Sequence, residues 1–243
     1  MASHIIPRRG FLASAGAAGA GVATLTTPLR ATAAEATPAQ VGSAPVPPSD
    51  APNEAWLVLT AEEAAFFSAT ADTMIPADAL SPSGAKCGIP NFIDRQLASA
   101  WGAGARMYRA GPFQQGFPEQ GYQLALTPHD FFAAGVQAAN TWSRKTYGNA
   151  FDHLTSDQRV EALTAMEGGK ATFQDFDAQD FFQRLLAITM EGFFSDPIYG
   201  GNRGKVSWRM LGFPGLPATY ADKIEQYRDK RYVAEPQSIA DFS

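Results

Sequence analysis

The chain has 243 residues, 45% hydrophobic, 18% charged and 12% aromatic, with a net charge of −5. That is an ordinary globular composition, and its acidic balance argues against a nucleic-acid binder, which needs clustered Lys and Arg to neutralise phosphate. One Cys and three His are too few for a zinc or haem site built from this chain alone, and no CxxC pair, HExxH, Walker loop or GxGxxG fingerprint is present.

Residues 1–33 read as an address rather than as fold. Arg8 and Arg9 precede Gly10, Phe11 and Leu12, and an uncharged stretch rich in Ala and Gly runs on to Arg30. Ala31-Thr32-Ala33 supplies the small-x-small pattern that a signal peptidase accepts. Paired arginines before Phe-Leu resemble a twin-arginine export signal, with Pro7 and Ala13 departing from the usual flanking Ser or Thr and Lys. The competing reading is a retained membrane anchor, but the segment is rich in Gly, holds Pro28 and is weakly apolar for a stable span. The expectation is a cleaved signal peptide and a periplasmic mature chain, made more acidic by loss of Arg8, Arg9 and Arg30. Twin-arginine export carries folded cargo, so the chain either folds around a cofactor or leaves bound to a folded partner. The absence of a cofactor motif favours the partner. Residues 34–55, with Pro45, Pro47, Pro48 and Pro52, read as an extended linker.

A helical domain is expected over residues 56–219. Thr60 with Glu63 forms a capping box, in which hydroxyl and carboxylate satisfy free backbone amides, and the helix they open runs until Pro76. Pro90 occupies a first-turn position, and Leu97 and Trp101 extend the apolar stripe of a second helix. Thr127-Pro128 opens a long helix to about Gly148, Thr155 opens another ending near Gly168, and Asp177 caps one from Ala178 to Ser195. The charged segment Tyr220–Tyr232, within a tail spanning 220–243, reads as a peripheral helix. Alternating strand patterns are scarce. The expected architecture is therefore an all-α, irregular bundle of about six helices with two long loops, residues 102–126 and 195–219.

The second loop is the most distinctive stretch. Asp196-Pro197 ends the preceding helix, because the residue before proline is pushed out of helical backbone. Gly200-Gly201-Asn202 permits tight turns and close approach by another surface, and Trp208 and Phe213 add large apolar area. Two readings stand open. The loop folds back on its own domain, or Tyr199 and Trp208 anchor a partner.

Asp196-Pro197-Ile198-Tyr199-Gly200-Gly201-Asn202, the following Trp208 and Gly212-Phe213-Pro214-Gly215 resemble the gluconate 2-dehydrogenase subunit 3 family. So do Leu59–Glu63, Met74–Asp78, Gly88–Asp94 and Gly111–Phe113, and the resemblance spans about residues 57–215. It implies a small non-catalytic subunit beside a large subunit that carries FAD and the catalytic residues. A cytochrome c subunit with haem c would pass electrons to the membrane quinone pool. The small subunit would supply the export signal and stabilise the large one, touching the inner membrane only through partners. The reaction implied is oxidation of D-gluconate to 2-dehydro-D-gluconate, or of 2-ketogluconate or another sugar in a related assembly. No catalytic, cofactor-binding or metal-binding residue is carried over to this chain. The candidate partner-binding residues are Cys87, Asp196, Pro197, Tyr199, Gly200, Gly201, Asn202 and Trp208.

Cys87 lies in what reads as an exposed loop, where a lone thiol is either inert or available for a disulfide to the large subunit. The Phe pairs at 66–67, 131–132, 181–182 and 193–194 point about 100° apart on a helix, which means either a wide core stripe or one ring of each at a seam or interface. His129 and His153 read as surface residues. Asp175, Asp177 and Asp180 lack calcium-loop spacing and fit helix capping instead. A transient escort for a flavoprotein is the alternative function. An independent enzyme is disfavoured, since no nucleophile–base pair or paired-carboxylate motif is legible.

Overall fold

A computed structural model describes residues 55–108, 110–114, 116, 117, 124–174, 176–217 and 219–242. All of them fall in the compact unit Ala44–Ser243. The export signal (Arg8, Arg9, Phe11, Leu12), the linker to residue 54, and Asp175 lie outside the described residues.

Among the described residues, six α-helices form an irregular all-α bundle: α1 (Ala61–Met74), α2 (Ile89–Ala98), α3 (Pro128–Tyr147), α4 (Ser156–Glu167), α5 (Ala178–Phe194) and α6 (Val206–Leu211). Among the described residues there is no strand, only an isolated parallel bridge between Gly215 and Gln237. None of the described helices is long and apolar enough to cross a membrane.

The starts follow from local chemistry. Thr60 and Glu63 cap α1 reciprocally, and Thr155 and Gln158 do the same for α4. The side chains of Thr127 and Asp177 accept the backbone N–H of Asp130 and Asp180 at the heads of α3 and α5. Such caps satisfy amides that have no partner inside the helix, each stabilising by about 1 kcal/mol. Helix α2 stops sooner than its apolar stripe suggests. Ser99 turns to extended backbone and its hydroxyl accepts the Trp101 N–H, so Trp101 leaves the stripe and is exposed.

The core is aromatic. Phe66 packs against Phe151 with ring centroids 4.9 Å apart, and Phe131 against Phe176 at 5.0 Å, with Phe181 within about 6 Å of Phe66 and Phe131. Each buried Phe contributes roughly 2–3 kcal/mol through the area it removes from water. Both rings of the pairs 66–67, 131–132 and 181–182 are buried, a wide core stripe, whereas Phe193 is buried and Phe194 exposed. Gly135 makes this packing possible, since a Cβ there would lie 2.2 Å from the Phe181 ring. It lets α3 and α5 approach closely.

The entry to the bundle is pinned by a buried carboxylate. Asp94 on α2 accepts the backbone N–H groups of Leu57, Val58 and Leu59 at 2.7, 3.0 and 3.1 Å. Residues 221–230 form successive turns rather than the expected helix. Asp229 takes a left-handed φ of 59°, which a helix does not tolerate, and Tyr232 folds back onto Tyr227 and Tyr220.

Candidate partner-docking surface

Helix α5 ends at Phe194, ahead of Asp196-Pro197, so its last carbonyls find no helical N–H. Side chains take them. The Ser195 hydroxyl donates to the Gly192 carbonyl at 3.1 Å, the Trp208 indole N–H to Phe194 at 2.9 Å, and Asn202 Nδ2 to Ser195 at 2.9 Å. Asn202 is fully buried, and its Oδ1 accepts both the backbone N–H and the hydroxyl of Ser207, at 3.0 and 2.8 Å. This side chain therefore joins the end of α5 to the start of α6.

The glycines serve the same closure. A Cβ on Gly201 would stand 2.1 Å from the Gly192 carbonyl oxygen, and Gly200 adopts φ +100°. Only glycine permits that approach and that backbone at no cost. Asp196 caps the one-turn 3₁₀ helix Pro197–Tyr199 by accepting the Ile198 N–H at 3.0 Å. The segment is also tied to α2: Arg95 donates to the Ile198 carbonyl at 3.2 Å, and the Arg203 N–H donates to the Cys87 carbonyl at 2.9 Å.

Residues 195–215 are therefore not the irregular loop expected. They are two 3₁₀ turns and α6 folded onto the C-terminal end of α5. The expected partner-binding residues separate accordingly. Gly200, Gly201 and Asn202 are buried, Asp196 and Pro197 are half-buried, and Trp208 is only 6% exposed, packed edge-on against Phe213 at 5.2 Å. Trp208 thus packs within its own fold, as the first of the two readings of this loop has it, and leaves little surface for a partner. Tyr199, 49% exposed, does present its ring to solvent.

Cys87 also departs from expectation. It is fully buried, with its thiol at 3.5 Å from the Pro82 carbonyl, and burial raises its pKa. The Arg203 segment bonds its carbonyl where composition suggested an exposed loop. A thiol so enclosed cannot reach a partner's sulfur without opening the fold.

Phe194, Ile198, Met210, Leu211 and Phe213 are exposed on the same stretch of chain as Tyr199, with Leu211 at 63%. Single exposed apolar residues are normal, and several on one folded stretch make it the candidate docking surface. The signal available in the sequence was the short amphipathic span 206–211. With Trp208 turned inward, the following Met210 and Leu211 are left outside.

One other concavity, about 420 Å³, is lined by Glu62, Arg144, Asn149, Asp152 and His153. Glu62 is committed there to Arg144 at 2.6 Å and to Asn140 at 3.0 Å. Among the described residues no group of three His, Cys, Asp or Glu could hold a metal ion. Each of His129 and His153 pairs with a neighbouring aspartate at 3.5 Å.

A family model described as gluconate 2-dehydrogenase subunit 3 matches residues 61–215. The chain belongs to that family. The gluconate 2-dehydrogenase subunit 3 span opens on the first residue of α1 and closes on Gly215, so it contains the entire bundle and the folded segment that completes it. Membership in a family of dehydrogenase subunits implies partner subunits. Comparisons with curated proteins and with solved structures give no match.

Proposed function

We propose that this subunit 3 chain is the small, non-catalytic member of a periplasmic gluconate 2-dehydrogenase-type complex that oxidises D-gluconate to 2-dehydro-D-gluconate. In this reading Arg8 and Arg9 direct export of the folded assembly, and the mature domain stabilises a large subunit that carries FAD and the catalytic residues. A haem c subunit accepts the electrons, and contact with the inner membrane runs through the partners. The carrying observation is the family match over residues 61–215, supported by the exposed apolar residues of the stretch 194–213 that includes Tyr199. Haem c attachment needs a C-x-x-C-H pattern, while the single cysteine here is buried and alone.

The test is co-purification of a tagged mature chain from periplasm and membranes, with mass spectrometry and an absorption spectrum of the eluate. A flavoprotein in equal stoichiometry, with flavin and haem bands, supports the constitutive subunit. A chain that elutes alone and colourless overturns it in favour of a transient escort. Tyr199→Ala combined with Leu211→Ala should reduce recovery of the flavoprotein. Both side chains are exposed, so the domain's own stability should change by no more than about 0.5 kcal/mol each.

A further inference from the structure

The tail Pro236–Phe242 lies beyond the family span, yet it is laid directly on the span's closing segment. The Ile239 N–H donates to Asp196 Oδ2 at 2.9 Å. The Leu216 N–H donates to the Gln237 carbonyl at 2.8 Å, and the Gln237 N–H to the Pro214 carbonyl at 3.0 Å. Lys205 Nζ donates to the Pro236 carbonyl at 3.0 Å and pairs with Asp241, whose carboxylate also accepts the Ser238 N–H at 2.7 Å. Pro236 and Ser238 are buried. The tail thus grips residues 196–216 at three separated points.

One of those points is strained. Lys205 is a non-glycine residue with φ +57°, at the kink where the turn Arg203–Lys205 becomes α6. An L-residue holds such backbone only when its surroundings over-determine it. The Lys205 ammonium is anchored in the tail, and its N–H donates to the Asn202 carbonyl at 2.8 Å. Asp196 is shared in the same way, with one oxygen capping its own turn and the other holding the tail.

We infer that Pro236–Phe242 is a strap that locks Asp196–Gly215 into the shape a partner reads, so that pairing with the large subunit requires the strap closed. The partner half of this inference rests on the proposed function; the locking half does not.

Hydrogen exchange of the mature chain, compared with a truncation after Glu235 and with Lys205→Met, separates the two. In both variants the amides of Ile198, Ser207 and Phe213 should exchange at least about tenfold faster, while those of α1, α3 and α5 stay protected, showing that the bundle is folded. Recovery of the flavoprotein should fall in parallel. Unchanged exchange over 196–215 in both variants overturns the lock. Faster exchange with undiminished recovery overturns the requirement for pairing. If the full-length chain also recovers no flavoprotein, it is the proposed function that fails, and the exchange data still decide the lock.

Discussion

The indole N–H of Trp208 donates to the carbonyl of Phe194 at 2.9 Å, across the gap where α5 has run out of helical donors. A residue with the look of a partner anchor is thereby a remote helix cap. Trp208→Phe keeps the apolar ring and deletes the bond, so it should lower stability by about 1–2 kcal/mol. Asn202→Ala leaves one buried carbonyl and two donors of Ser207 without partners and should cost roughly 3 kcal/mol. Urea unfolding of the mature domain measures both, and equal stability of Asn202→Ala and the parent would contradict the buried network.

Asp94 gathers three consecutive N–H groups on one buried carboxylate. Asn at that position presents an amide –NH₂ to donors where an oxygen is needed. Asp94→Asn should cost about 2–3 kcal/mol and release residues 56–59 first. Limited proteolysis should show new cleavage there while the rest of the domain resists.

Cys87 should be silent in the folded chain. It is completely buried, and burial disfavours the thiolate that reacts. A thiol reagent at pH 8 should label the native domain slowly and take up one equivalent on denaturation. Rapid labelling of native protein would restore the exposed loop that the sequence suggested.

Thr70 on α1 is 1% exposed, and its hydroxyl has no hydrogen-bond partner. Valine has nearly the same shape and the same branched helix conformation. Thr70→Val removes a buried polar group without leaving a hole, so stability should rise by up to about 1 kcal/mol. A lower melting temperature for the variant would show that the hydroxyl is satisfied in solution.

Glu191 sits in the last turn of α5, where the helix end disfavours negative charge and no basic residue offsets it. Its side chain reaches the surface, but packing around the carboxyl raises its pKa above the ordinary 4.5. A raised value means that the fold prefers the protonated acid. Its stabilising effect is complete below 4.5 and is lost as pH rises through the folded value. Glu191→Gln should therefore be more stable than the parent at pH 7, by less than about 1 kcal/mol because the group is exposed. The two should converge below pH 4.5, which thermal unfolding at pH 4 and pH 7 would show.

The sequence by itself determined the helical bundle, and it did so where the deciding contacts are local. Thr60 with Glu63, Thr155 with Gln158, and Asp177 with Asp180 are three residues apart, so each cap acts in any context that lets the helix start. The family resemblance lay in contiguous motifs for the same reason that the α5 terminus needs them: Asp196-Pro197 stops the helix, and Gly201 and Asn202 close over it. Only the tertiary structure decided which of those residues face outward. Trp208 lies 14 positions from its acceptor, and Asp196 lies 43 from the Ile239 N–H that it holds. Their burial depends on where the chain returns, and periodicity carries no record of that return. Cys87 is buried where the Arg203 segment, which arrives more than a hundred residues later along the chain, bonds its carbonyl. The segment 220–232 had helix-like composition, but edge-on packing of Tyr232 against Tyr227 across the left-handed Asp229 outweighed the weak local preference for helix. What local chemistry could settle it settled, and what depended on distant returns of the chain waited for the fold.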